Sequence, residues 1–284
     1  MGCSQQNIGQ DKSFTIDEQW NKGKAEVNTY LLTQARYGEL RDSGEVVLVF
    51  VKENFLEDKQ VKADDYTQGI PVLKMNYIKR FVTGIYDYSM MSSVFLPFNQ
   101  NQYPNALKVT SSSQDWCGQT FVQMNFKNKK YQLSNFSYFE SDGDYQKTLD
   151  NVFLEDQIFN QIKMNPDKLP VGKFTMIPSM MYCRLKHVIP SVLEVEGKIY
   201  EENGLKVYEI VYPKNEKHLK IYFEAESPYL ITRWEESYKD GFGEHSRQLT
   251  TTAVLKTSYW VDYWSKNKNS DIHWRDSLQL PKRF

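Results

Sequence analysis

The chain has 284 residues, with 36 acidic side chains against 35 Lys and Arg for a formal net charge of −1. Acids and bases are interleaved, which leaves no electrostatic footprint for DNA or RNA. No apolar run approaches the ~18 residues of a membrane-spanning helix. The length suits one large domain or two smaller ones, and such a unit buries about three quarters of its unfolded surface, enough to fold without disulfides or metal.

In chain order, Gly2-Cys3-Ser4 leads into a polar run, Gln5 to Lys12, with one large apolar residue, Ile8. Too little can be buried there to offset backbone ordering, so residues 1–16 read as a tether. A small residue followed by cysteine matches the last two positions of a lipobox, and Cys3 is the expected lipidation site. Two rivals stand beside this reading. One is an ordinary start with an exposed thiol; the other is myristoylation of Gly2 with palmitoylation of Cys3, disfavoured because Gln6 stands where Ser or Thr is wanted. Stable attachment needs two or three acyl chains. Ser4 after the cysteine points to the outer membrane, and the lack of an acidic cluster points to its periplasmic face.

Aromatic residues make up 14% of the chain, 19 Tyr, 16 Phe and 6 Trp, and such side chains suit pleated, half-buried surfaces. The expected fold is therefore mainly β, a large curved antiparallel sheet or half-barrel with one or two short helices. A helical turn around Trp20 enters the domain. Residues 26–40 read as one long strand, turned at Asp42-Ser43-Gly44, and Val46 to Val51 as a strand covered on both faces. Residues 53–70 look like a loop. Strands follow at 72–82, 86–96, 107–112, 119–126 and 130–139, with Lys127-Asn128-Lys129 as a hairpin tip. Leu154, Ile158 and Ile162 then recur at helical spacing, predicting one amphipathic helix over about 150–163 closed by Asn165-Pro166.

From Lys173 to Trp264 the strand pattern returns. Asn203-Gly204 is the strongest hairpin turn, because both residues tolerate positive φ. Leu219, Ile221 and Phe223 alternate with Lys220, Tyr222 and Glu224, and Leu230, Thr232 and Trp234 with Ile231, Arg233 and Glu235; one face is packed and one wet, hence an antiparallel meander. The last strand, 248–264, sets Leu255, Tyr259, Val261 and Tyr263 against Trp260 and Trp264. Residues 17–265 are expected to form one domain, followed by a polar, loosely held tail over 266–284.

No cofactor, metal or catalytic motif emerges. Trp116-Cys117-Gly118 resembles half a thioredoxin site but lacks the second cysteine. His187, His218, His245 and His273 show no metal spacing. Cys183 and His187 could act as nucleophile and base only on a helix, because on a strand they stand some ~13 Å apart. Asp142/Asp144 and Glu155/Asp156 read as solvated turn and helix charges. Cys117 and Cys183 could pair as a disulfide, although two separate buried thiols is the simpler reading. Met90-Met91 and Met180-Met181 are pocket candidates, since one of each pair could line a cavity for a greasy ligand while the other fills the core. Trp260 and Trp264 are candidate partner contacts.

Three segments, Ala35-Arg36-Tyr37-Gly38-Glu39-Leu40-Arg41, Thr83-Gly84-Ile85-Tyr86-Asp87-Tyr88-Ser89-Met90-Met91 and Ser112-Ser113-Gln114-Asp115-Trp116-Cys117-Gly118, resemble an uncharacterised family of outer-membrane lipoproteins from marine and soil Bacteroidota. The similarity covers most of the chain. Some relatives carry the label "septum formation inhibitor Maf", but the Ser-Pro-Arg-Arg phosphate motif of true Maf pyrophosphatases is absent here and that activity is not carried over. The meander of 192–264 is more distantly similar in plan to lipoprotein-carrier half-barrels. The expectation is a non-enzymatic, membrane-anchored periplasmic domain that binds a lipid or other hydrophobic ligand or serves an outer-membrane complex. The alternatives are a cell-envelope hydrolase with a site assembled from distant residues and a purely structural lipoprotein.

Overall fold

The computed structural model describes residues 16–281. Cys3 and the proposed tether therefore lie outside the described residues, except for Ile16. The fold is one sixteen-stranded sheet that curves into an unclosed barrel around two short helices. The strands are β1 (Ala25–Arg36), β2 (Glu39–Leu56), β3 (Val61–Lys62), β4 (Ile70–Thr83), β5 (Tyr86–Pro97), β6 (Lys108–Asp115), β7 (Gly118–Lys127), β8 (Lys130–Ser137), β9 (Tyr145–Asp150) and β10 (Phe153–Leu154), then β11 (Gly172–Ile177), β12 (Leu193–Glu202), β13 (Leu205–Tyr212), β14 (Lys217–Phe223), β15 (Ile231–Asp240) and β16 (Arg247–Val261). The helices are α1 (Ile158–Met164), α2 (Met180–Lys186) and α3 (Trp274–Ser277).

Neighbouring strands are antiparallel, most of them joined as hairpins, except for the short parallel pair β10–β11. The first strand closes one seam by pairing with the last, Ala25 opposite Val261 and Leu32 opposite Ala253. The second seam, between β9 and β10–β11, stays open in hydrogen bonds. The chain dives inward there, and α1 and α2 fill the interior.

The expected mainly β architecture is what forms. Its hairpin tips sit where turn chemistry placed them: Asn128 and Lys129 have φ of 54° and 63°, and Asn203 and Gly204 have 51° and 79°. Several local expectations fail, and the helix expected over about 150–163 is one: it starts only at Ile158, after the short strand β10 and a 3-10 turn over Glu155–Gln157. Residues 26–40 are not one strand, because Tyr37 and Gly38 take positive φ and turn the chain. Gly38 is required there, since a Cβ would stand 2.5 Å from the His245 carbonyl oxygen. Asp42-Ser43 is instead a bulge inside β2, where the register with β1 shifts.

The alternation in β15 slips as well. A bulge between Tyr222 and Phe223 brings Ile231 inward together with Trp234. A second bulge, in β16 opposite Thr29 and Tyr30, turns Tyr259 and Val261 outward while Leu255 and Trp260 pack on the inner core. A one-residue slip reverses every side chain beyond it. Residues 180–186 form a helix rather than strand, with Ser179 accepting from the Tyr182 N–H as N-cap. Finally, the described part of the C-terminal segment, 266–281, is docked rather than loosely held: Trp274 and Leu278 pack on the outer faces of Ala25, Val27, Val49 and Val261, and Thr29 donates to the Leu278 carbonyl at 2.9 Å.

Candidate functional site

Antiparallel hairpins alternate their turns between the two ends of a barrel, so the tips at 37–38, 84–85, 116–117, 138–144 and 241–246 all fall at one end. The segments 35–41, 83–91 and 112–118 span three of these tips. With the tips at 138–144 and 241–246 they gather aromatic side chains at this end. Phe242 lies 6.4 Å from Tyr37, the Tyr37 and Tyr88 hydroxyls share a hydrogen bond of 2.7 Å, Tyr86 stands 5.9 Å from Tyr88 and 6.5 Å from Trp116. Across the β6–β7 turn, Tyr138 sits so close to Gly118 that a Cβ there would meet its ring at 2.7 Å. The most projecting side chains are exposed by 83% (Ile85), 73% (Tyr138), 71% (Trp116) and 64% (Phe242).

Two guanidinium groups stiffen this face from below. Arg36, buried, lies 4.1 Å over the Tyr37 ring and donates to the Leu185 carbonyl at 2.6 Å and to Tyr88 at 3.1 Å. It thereby ties the first hairpin to the end of α2. Arg184 lies 4.3 Å over Phe139 and pairs with Asp115 at 3.5 Å.

His187 ends α2 in the left-handed region, φ 54°. Its Nδ1 stands 3.0 Å from Asp142 and its Nε2 3.1 Å from an Arg184 nitrogen. An Arg can only donate, so Nε2 accepts and Nδ1–H donates to Asp142. Burial holds the imidazole below its ordinary value, with Asp142 opposing and Arg184 adding to the shift. Both ring nitrogens are thus engaged and neither is free to take a proton from a nucleophile. Cys183 does share a helix with His187, as nucleophile chemistry would need, yet it is buried and burial pushes its thiol up. This corner fixes a loop rather than activating a group.

The interior behind the face is polar in a way the sequence concealed. Glu155 and Asp156, read as solvated charges, are buried. Glu155 receives hydrogen bonds from Lys217 and Tyr212, and Lys217 also pairs with Glu236 at 3.1 Å. Lys163 on α1 meets Glu26 on β1 at 2.8 Å, with both side chains fully buried. Asp156 accepts from the Met180 N–H at 3.0 Å, anchoring the start of α2. Its carboxyl is raised to about 7, chiefly by burial. The one signal that could have exposed this cluster is Glu155-Asp156-Gln157 sitting directly before a helix whose remaining polar residues, Asn160, Gln161 and Lys163, leave no face for solvent.

The other expected sites disperse. Met90, Met180 and Met181 are in the main core, while Met91 points outward and is exposed. Met180 lines a recess of about 30 Å³ with Val122, Cys183 and Val188–Pro190, far smaller than a lipid chain, and α1 and α2 occupy the lumen. Trp260 is not a surface contact: it packs on Trp20 at 4.9 Å. Trp264 is exposed, edge-on to Tyr263 at 5.4 Å. Cys117 and Cys183 are both free, the first exposed at a hairpin tip and the second buried on α2, so no disulfide forms and only one of the two thiols is a core residue. Among the described residues no group of three or more His, Cys, Asp or Glu is arranged to hold a metal ion.

No family model and no curated protein matches the chain. Among solved structures it is similar to a beta-barrel-like protein of a domain of unknown function from Brucella abortus, at 7% identity and a TM-score of 0.42, over 84% of this chain and 98% of that one. It is also similar to a porin-like protein from Bacteroides uniformis, at 10% identity and a TM-score of 0.21, over 82% and 95% of the two chains. In the described barrel, Glu194, Glu196 and Lys198 of β12 and Lys239 of β15 face outward and are exposed, the reverse of a lipid-facing wall, which presents an apolar band outside and a polar lumen.

Proposed function

We propose that the chain is a non-enzymatic accessory domain of the cell envelope that binds a protein partner through its aromatic end face, held by a lipid on Cys3 at the periplasmic side of the outer membrane. The observation that carries the binding role is the run from Phe242 through Tyr37, Tyr86 and Trp116 to Tyr138, large amphipathic rings of the kind that anchor interfaces. They stand on stiff hairpins and are braced by Arg36 and Arg184. The anchor rests on Gly2-Cys3-Ser4 and the polar run behind it. Residue 17 enters at the opposite end, where Asp17 accepts from Ser227, so a tether leaves the aromatic face pointing away from its attachment point. A greasy small ligand is the weaker reading, since the lumen is filled. The hydrolase reading meets a histidine with both nitrogens engaged.

The test is a photo-crosslinking residue placed at Trp116 in the source cell, with a second at Lys198 on the outer wall as control. A discrete adduct from position 116 that disappears with Tyr138→Ser supports the reading. Equal labelling from both positions overturns it. Release of the protein from membranes by Cys3→Ala checks the anchor separately.

A further inference from the structure

The aromatic end carries a local charge that the chain as a whole does not. The tips over 83–88, 114–118 and 137–146 contain Asp87, Asp115, Glu140, Asp142 and Asp144 and no Lys, Arg or His, in a chain whose formal net charge is −1. Helix α2 brings one compensating charge from below, Arg184, which pairs with Asp115 at 3.5 Å. His187 donates to Asp142 and, held below its ordinary pKa by burial, is neutral at pH 7. Five carboxylates thus stand against one guanidinium. Asp144 accepts from the Ser137 N–H at 2.9 Å. Asp87 and Glu140 are exposed, with no side-chain hydrogen bond or ion pair among the described residues.

These acids share their tips with exposed rings. Asp87 follows Tyr86, which stands 6.5 Å from Trp116, and Glu140 comes two residues after Tyr138, 73% exposed. A ring attracts a cation over its face and a carboxylate binds one by charge-assisted hydrogen bonds. The chain already uses that combination beneath this surface, where Arg184 lies 4.3 Å over Phe139 while paired with Asp115. A guanidinium serves both at once, because its plane stacks while its edge donates as a fork; an ammonium is a compact point charge. Nucleic acid and anionic membrane surfaces are repelled by the same carboxylates. A wholly apolar partner surface would desolvate them without pairing them. Resting on the reading of this end as a protein-binding face, we propose that the partner presents an arginine-bearing segment, its guanidinium groups stacked on Trp116 and Tyr138 and bonded to the free carboxylates of the same tips, Asp87 and Glu140 foremost.

The experiment titrates the full chain with the pentapeptide Gly-Arg-Gly-Arg-Gly and with the same peptide carrying Lys or Gln in place of Arg, followed by amide chemical-shift mapping. The arginine peptide should shift Asp87, Trp116 and Glu140, the lysine peptide should bind several-fold weaker, and the glutamine peptide weakest. Asp87→Asn combined with Glu140→Gln, both at exposed positions, should weaken the arginine peptide about tenfold, and high salt should act in the same direction. Equal binding of the arginine and lysine peptides, equal binding by the double variant, or no binding of any peptide overturns the proposal. The reading beneath it is checked separately by the adduct from position 116 in the source cell. An adduct that forms and is unchanged by the double variant leaves the face a protein-binding surface and overturns the arginine assignment alone. Absence of any adduct overturns the face itself.

Discussion

The two helices inside the barrel are each seven residues long, yet they are held in different ways. Helix α1 is locked by charge: Lys163 reaches Glu26 on one wall, and Glu155 just before it reaches Lys217 on another. Helix α2 presents Met180, Met181, Cys183 and Leu185 to the core and is tied at its start by a single carboxylate, Asp156, raised to about 7 by burial. One plug therefore rests on buried ion pairs that reach two walls of the barrel. The other rests on packing plus a group that titrates near neutrality, and it is the one that carries Arg184 and His187 to the aromatic end. The barrel separates a fixed prop from an adjustable one.

Breaking the prop should have the largest effect. Removing one partner of a buried pair strands the other charge and costs about 3–5 kcal/mol, whereas replacing both is close to neutral. Lys163→Met and Glu26→Gln should each lower the urea midpoint strongly, and the double variant should recover most of the loss. If the double variant is as unstable as the sum of the singles, α1 is held by something other than this pair.

The adjustable helix should respond to pH. Asp156 is raised from an ordinary 3.8 to about 7, so the folded state holds its proton between those values while the unfolded chain has lost it. Its contribution to stability is complete below about pH 4, falls as pH rises towards 7, and is flat above. At ~1.4 kcal/mol per unit the difference is on the order of 4 kcal/mol. Asp156→Asn keeps an acceptor for the Met180 N–H without a charge. It should match the wild type near pH 4 and be more stable at pH 8, measured by urea unfolding across that range. A variant that parallels the wild type at every pH would remove the contrast between the two plugs.

Much of the meander was legible in the sequence because a strand with one wet face writes its own period. Leu219, Ile221 and Phe223 are buried as their alternation requires, and Asn203-Gly204 turns where positive φ is cheap. Bulges erase that record: Ile231 and Trp260 came out on unexpected faces since one extra residue inverts the pattern without altering composition. The plugs were harder. A helix buried on all sides shows no polar face, and Glu155, Asp156 and Lys163 look solvated until their partners Lys217, Met180 and Glu26 arrive from up to 137 positions away. The aromatic face has the same origin, assembled from five turns that share no local pattern beyond an exposed ring or aliphatic tip. Nothing in the sequence pointed towards it, and the partner contact was expected instead at Trp260 and Trp264.

The smallest expected effect lies where α2 ends. His187 sits at φ 54°, a conformation that costs an L-residue about 1–2 kcal/mol and glycine nothing. Against this, its ring ties Asp142 to Arg184, partly exposed contacts worth about 1 kcal/mol. The two contributions nearly cancel, so His187→Gly should change stability by less than about 1 kcal/mol in either direction. It should nonetheless loosen the 138–144 loop, seen as faster hydrogen exchange there while the amides of α1 keep their protection. Equal loosening of α1 would mean the two plugs move together, and the division between fixed and adjustable supports would not hold.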